Sequence, residues 1–416
     1  MGQARRHGCI GRALQGLTLV FLAVPGQTST PSDGAALERQ YCASCHGVDL
    51  LEQSSGYTGA HWGALIDSMI NLDAVPTERA ALLSYLEQQY PPNQRRTPRL
   101  VDGEVAISFD AWAAPTLGQR VRDPAQAPDG KIWWAGQYGN LVGSIDPVTG
   151  ALREYGLPPG AHPHTVTVDD HNQVWYTGNR NGTIGRLDPA TGEVTEFPLP
   201  DSAALDPHSA VFDQRGRLFF TVQRSNFIGR LDPSTGVIEL AKVATPNALP
   251  YGIKIDAAGI PWVACYGSNC LIRVDPESLA LEEVTLPDVN ARVRRLDIAS
   301  DGAIWYVNSS LGRLGRYNPE DGKFREWPAP SGASAHPYAI AIIDDVVWFN
   351  ESGMRPDTLV RFDPSSETFQ SWPIPSGDVY SGIVRHMRPT EDGDLLIHQS
   401  ASNRVLRVSV APADGT

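Results

Sequence analysis

The chain has 416 residues, with 34 Lys and Arg against 47 Asp and Glu, and a formal net charge of −13. It carries no basic tract, so nucleic acid and anionic membrane surfaces are poor partners, and the acidity suits solubility and encounter with a basic protein. Beyond the amino terminus no stretch approaches the roughly 20 apolar residues of a membrane-spanning helix, so no membrane span is expected after leader removal.

Arg5, Arg6 and Arg12 precede an apolar run from Ala13 to Val24, and small and polar residues follow from Gly26 to Ser32. That is the charge, length and order of a secretory signal peptide, here residues 1–30, and a retained anchor is the alternative. The residues after Arg5-Arg6 do not support a twin-arginine route. Export to a periplasm is the expectation.

Next comes Cys42-Ala43-Ser44-Cys45-His46. At this spacing two thiols add to the vinyl groups of a haem and the histidine ligates the iron, so one covalent haem c is implied on Cys42, Cys45 and His46. The chemistry implied is one-electron transfer with a redox partner protein. A thioredoxin-like pair is the alternative, but no βαβ pattern surrounds the motif. Ala35 to Tyr41 and Thr77 to Tyr90 read as helices, the second with an apolar stripe of Leu82, Leu83 and Leu86. Residues 31–92 are read as a small all-α domain. The prolines and polar residues from Pro91 to Pro98 stop the helix, and 93–104 is taken as a linker.

From residue 105 strands take over, and they repeat. Gly185-Arg-Leu-Asp-Pro189, Gly229-Arg-Leu-Asp-Pro233, Gly315-Arg-Tyr-Asn-Pro319 and their relatives recur about every 43 residues, the period of a four-stranded propeller blade. Each copy follows an aromatic strand such as Val174-Trp175-Tyr176-Thr177. The Asp-Pro pairs read as turn chemistry, not active-site acids. Seven blades fit in 105–412, but no outer strand follows Val405 to Val410. The segment 105–115 has the form of an outer strand and is expected to close the last blade. Cys9 leaves with the leader and Cys42 and Cys45 belong to haem, so Cys265 and Cys270 remain as an expected disulfide.

About eleven residues before the tryptophan of each second strand lies a position that should face the propeller axis. Around the ring it reads Arg122, His164, His208, Tyr251, Arg294, Tyr338 and Ser381. This polar, titratable set reads as a binding surface whose arginines select an anionic or carbonyl-rich small molecule; a merely wet tunnel is the other reading. A second ring is read as Gln137, Asn179, Gln223, Tyr266, Ser309, Glu351 and Gln399.

The repeat Pro-(His/Tyr)-x-(Ile/Val), Val-Trp-(Phe/Tyr)-Thr, Ile-Gly-Arg-(Leu/Ile)-Asp, Glu-(Phe/Tyr)-Pro-Leu-Pro resembles the virginiamycin B lyase (streptogramin lyase) family over residues 105 to 410. Residues 33 to 92 resemble a class I cytochrome c, with Trp62, Met69 and the Tyr85-Leu86 helix after the haem motif. The fold implied is mainly β, a seven-bladed β-propeller preceded by a small all-α cytochrome c domain. The cytochrome resemblance implies Met69 as second axial ligand, with His61 as rival. The lyase resemblance implies ester opening by elimination, with a histidine base and a divalent cation such as Mg. Asp206-Pro207-His208 is the nearest equivalent of the family's base motif. Gln223 stands where the family has a metal-binding glutamate, and Glu351 is the glutamate read in that phase elsewhere. The favoured reading is an electron-transfer protein with a ligand or partner at the propeller mouth; the alternative is the lyase.

Overall fold

The computed structural model describes residues 34–42, 51, 57–91, 96–377 and 382–412. The leader, Cys45, His46 and Ser381 lie outside these described residues. Among the described residues, three helices of more than one residue precede seven four-stranded antiparallel sheets. The sheets are consecutive meanders arranged as propeller blades, for example Pro163–Val168, Val174–Gly178, Thr183–Leu187 and Val194–Pro198 from the axis outward. Second strands such as Leu218–Val222 are buried throughout and correspondingly apolar. Outer strands such as Lys323–Pro328 are only partly buried, alternating between exposed and half-buried positions.

Two repeated sequence features have direct structural causes. In the Ile-Gly-Arg repeat the glycine lies under an aromatic ring of the neighbouring strand. A Cβ on Gly185 would stand 2.0 Å from Tyr176 Cζ, and Gly229 and Gly315 meet Phe220 and Tyr306 in the same way. Glycine is required by this close approach. The repeat aspartates cap turns: Asp188 accepts the N–H of Ala190 at 2.8 Å and Asp232 that of Ser234 at 2.8 Å.

The strand Val105–Ala113 pairs along its whole length with Arg404–Pro412, from Val105 opposite Pro412 to Ala113 opposite Arg404. The amino-terminal strand thus becomes the outer strand of the seventh blade and covers the edge of Arg404–Pro412. The stretch before it lies on the sixth blade: Arg355 donates its N–H to the Arg96 carbonyl at 2.7 Å, and Val101 and Ser371 exchange bonds of 2.9 and 2.8 Å.

The sequence reading pairs Cys265 and Cys270 in a disulfide, and here the structure differs. Both thiols are free. They sit at the ends of the adjacent strands Pro261–Cys265 and Cys270–Val274, where they are buried and Ser268 Oγ lies 3.2 Å from Cys270 Sγ. Burial pushes the Cys265 thiol well up, and a hydrogen bond between the two thiols lowers that of Cys270. They pack as small hydrophobes.

Helices α1 (Gly34–Tyr41), α2 (Gly59–Met69) and α3 (Pro76–Gln89) form the small domain. Thr58 caps α2 in a reciprocal box with His61, and α3 opens on a proline, whose missing N–H costs nothing at that position. Leu37, Tyr57, Trp62, Leu65, Ile66, Leu82 and Leu86 form its core, and Ala401 and Ile383 of the propeller join it. The carboxyl end of α2 is docked. The Ser68 carbonyl accepts from Gly118 N at 3.0 Å and from Asn403 Nδ2 at 2.8 Å, while Ser68 Oγ donates to the Ala401 carbonyl at 3.0 Å.

Candidate functional site

The axial side chains are aimed by a backbone irregularity repeated around the ring. Innermost and second strands lose register between Arg122 and Ala125, Pro163 and Val166, Pro207 and Ala210, Pro250 and Ile253, Val293 and Leu296, and Pro337 and Ile340. Such a bulge twists the strand and turns its extra residue out of the ladder. Freed N–H groups are recovered by side chains: Thr165 N donates to Thr177 Oγ1 at 3.0 Å, Asp123 N to His398 Nδ1 at 3.1 Å and Ala339 N to Asn350 Oδ1 at 2.7 Å, and Thr177 Oγ1 in turn donates to the His208 carbonyl of the next blade at 3.0 Å.

Arg122, His164, His208, Tyr251, Arg294 and Tyr338 meet at the axis. The His164 and His208 rings lie 3.6 Å apart and His208 lies 4.1 Å from Tyr251. Arg122 hydrogen-bonds His164 Nε2, and the Tyr251 and Tyr338 hydroxyls bond each other. Arg294 stacks 3.8 Å from Tyr266 and 4.2 Å from Tyr338, and donates to the Tyr266 hydroxyl at 2.6 Å. In the seventh blade the sequence reading places Ser381. The ladder instead matches Met387 to Ile397, as Val166 is matched to Tyr176, and counting back two residues gives Arg385 as the equivalent of His164. The connection after Pro373 is longer than elsewhere, which shifted the sequence register.

Glu351 also departs from the phase read in the sequence. It pairs with Pro337 as Gly178 pairs with Pro163, so it lies one residue earlier than Asn179 and its side chain takes the opposite face. Its buried carboxylate accepts from Ser331 N at 2.8 Å and Ser331 Oγ at 2.5 Å, away from the axial ring. Asp206 accepts from Arg224 N at 3.0 Å, while His208 Nδ1 bonds Ser209 Oγ at 3.1 Å. Burial raises Asp206 to about 6. Among the described residues no group of three His, Cys, Asp or Glu could hold a metal ion.

Electrostatics in the ring follow from burial and crowded guanidiniums. Burial, then Arg122, holds His164 well below its ordinary value; burial, then Arg295, does the same for His208. Both imidazoles are neutral. Burial raises the Tyr338 phenol, but Arg294, Arg385 and Arg122 outweigh it and bring Tyr338 down to about 7. Its partner Tyr251 is raised, by burial first and then by Tyr338. The pair therefore ionises at Tyr338, with Tyr251 donating.

Adjoining the ring, and sharing Arg385 with it, is a cavity of about 310 Å³ between helices and propeller. Cys42, Trp62, Leu65 and Met69 line one side, and Arg120, Tyr138 and Arg385 line the other. Met69 therefore lies at the cavity, whereas His61 is engaged in the cap at the far end of α2, about 12 Å away along the helix. Trp62 is 1% exposed and its Nε1 has no partner among the described residues. Sequence reasoning missed Arg120, Tyr138 and Arg385, because only the docking of α2 brings them to the cysteine motif; the seventh-blade register would have given Arg385.

Residues 108–274 match the model of the virginiamycin B lyase family. The propeller is similar in fold to the streptogramin lyases. A streptogramin B lyase structure is 22% identical with a TM-score of 0.66, covering 73% of this chain and 98% of its own. Virginiamycin B lyase from Staphylococcus aureus is 21% identical with a TM-score of 0.65, covering 73% and 99%. Hydrazine synthase of Kuenenia stuttgartiensis is 14% identical with a TM-score of 0.57, covering 72% and 97%. No curated protein matches the chain in sequence.

Proposed function

We propose that the chain is an exported, periplasmic monohaem c-type cytochrome whose streptogramin-lyase-like propeller binds a ligand or redox partner at its mouth, coupling that binding to electron transfer. The observation that carries this reading is the shared cavity, in which Cys42 and Met69 face Arg120, Tyr138 and Arg385 of the propeller. The residues suit a haem. The walls from the helices are apolar, a cysteine of the attachment motif and a thioether are both at the surface of the cavity, and the buried Trp62 Nε1 awaits an acceptor. Cys42, with Cys45 and His46, would attach and ligate the group, and Met69 would complete the ligation. When bound, the haem supplies one-electron chemistry.

The remaining work falls to the chain's own side chains. Leu65, Leu82 and Leu86 exclude water from the cavity, and the end of α2 is fixed to the propeller through Ser68. Next to Arg385, Tyr338 can take up or release a proton near neutral pH, with the Tyr251 hydroxyl as its hydrogen-bond partner. Export is supported by the leader, and among the described residues no helix is long and apolar enough to cross a membrane.

The fold likeness favours a second reading, ester opening by elimination with His208 as base. The residues give it little: His208 is neutral but buried against His164 and Tyr251, Asp206 is bonded to Arg224, and Glu351 is bonded to Ser331. Absorption spectra of the purified protein, with and without candidate oxidisable anions, separate the two. Haem reduction on ligand addition without any metal dependence supports the cytochrome reading. Streptogramin opening that needs Mg and His208, with no haem spectrum, would replace it.

A further inference from the structure

We propose that Arg120 and Arg385 of the propeller bind the two carboxylates of the haem, so that the cofactor is held between the two domains and not by the helical domain alone. This rests on the haem reading above. The observation behind it is an imbalance of charge at one end of the cavity.

On the helical side the walls are Leu65, Ile66, Leu82 and Leu86, with no charged group. On the propeller side stand Arg120 and Arg385, with Arg122 behind them. Among the described residues none of the three has a carboxylate within ion-pair distance. Arg122 is 5% exposed, and its Nε and Nη1 have no partner among the described residues. Asp123, the acid beside them, is taken up by Arg295 at 3.3 Å and by the Thr165 hydroxyl at 2.7 Å. Burial, then Arg122 and Arg385, lowers Arg120 to about 9, a measure of how crowded these cations are.

Arg120 and Arg385 are half-buried and face no carboxylate among the described residues, and the ionisable Tyr338 phenol is one group shared among Arg385, Arg122 and Arg294, so positive charge is in excess where Arg120 and Arg385 reach the cavity and an anion there would be stabilised. A small oxyanion would satisfy the arginines and leave the apolar walls unfilled. An uncharged apolar molecule would do the reverse. The ligand that satisfies both ends is a broad apolar body with anionic groups along one edge, which describes a haem with its pair of carboxylates. Arg120 is also held in place for this role: its N–H donates to Asn403 Oδ1 at 3.0 Å and its guanidinium lies over the Tyr138 ring at 4.7 Å.

The test uses the full chain, matured with its haem attached, as parent, R120Q, R385Q, the double Gln variant, R120K and R385K. Haem content is read by mass and the midpoint potential by spectroelectrochemistry. Removing a positive charge that faces the carboxylates should disfavour the reduced, less positive haem. Each Gln variant is expected to keep its covalent haem and to fall about tenfold in the reduction equilibrium, which is about 59 mV for one electron. The Lys variants keep the charge but lose the two-pronged bond, so they should shift the carboxylate bands of the redox-difference infrared spectrum with little change of potential. A haem-loaded double variant with the parent's potential overturns the inference. If the Gln variants do not accumulate, unchanged carboxylate bands in both Lys variants overturn it. A parent chain without covalent haem instead removes the haem reading itself, so the two failures are distinct.

Discussion

Asn403 donates from its side-chain amide to the carbonyl of Ser68 at 2.8 Å, joining the seventh blade to the last turn of α2, one residue before Met69. Its other side-chain atom, Oδ1, accepts the N–H of Arg120 at 3.0 Å. One buried amide thus sets the positions of a residue on each side of the cavity. Replacing Asn403 by Ala leaves the Arg120 N–H without its acceptor and the Ser68 carbonyl with its Gly118 bond alone, and an unsatisfied buried group costs about 1–3 kcal/mol. The variant is expected to melt earlier and to be cut more readily by protease between residues 91 and 100. Parent-like melting and cleavage would mean that the docking does not depend on this contact.

Met69 is placed at the cavity and His61 in the α2 cap. Met69→Ala should abolish the thioether-to-iron absorption band and lower the reduction potential, because a thioether ligand favours the reduced iron. An unchanged spectrum would assign the sixth position to another ligand.

Tyr338 should titrate in the intact protein near pH 7, seen as a rise in tyrosinate absorbance that Tyr338→Phe removes. A phenol in the unfolded chain ionises near 10. Between about 7 and 10 the unfolded chain therefore binds more protons at this residue than the folded one, and stability rises with pH. The contribution is complete above the unfolded value and is lost as pH falls through about 7. Tyr338→Phe should flatten this part of the profile; identical slopes in the two proteins would show that the phenol is not depressed.

Much of the propeller is legible in the sequence because each blade repeats the same local requirement. Gly185, Gly229 and Gly315 make room for a ring, and Asp188 and Asp232 cap a turn, so spacing alone exposes the period. Six axial residues were readable for the same reason. The seventh was not, since the longer connection before Met387 moves the register from Ser381 to Arg385. Glu351 was read one residue out of phase, and a single step in a strand reverses the face. The cavity could not be read at all. It depends on Ser68 meeting Asn403 across 335 residues of chain, which no local pattern encodes.

Glu351→Gln tests that correction. Its carboxylate braces Ser331 through two bonds, so the substitution is expected to cost about 1–3 kcal/mol in stability. Ligand affinity at the mouth and haem potential should stay at parent values, measured by titration and by spectroelectrochemistry. Loss of ligand binding in a stably folded Glu351→Gln protein would return this residue to the site.

The strand Val105–Ala113 supplies the outer edge of the seventh blade, with Asp110 bonded to Arg407 at 2.8 Å. A protein starting at residue 118 should aggregate or melt well below one starting at residue 100, since it exposes the edge of Arg404–Pro412. Equal melting of the two would contradict closure by this strand.

The most direct measurement is the intact mass and colour of the protein after export from a host that attaches haem c, before and after extraction with acidic acetone. The account predicts the mass of the leaderless chain plus one haem, colour that stays with the polypeptide, and loss of both when Cys42 and Cys45 are replaced by Ser. A colourless chain at its bare polypeptide mass, or a haem that the solvent removes, would contradict it.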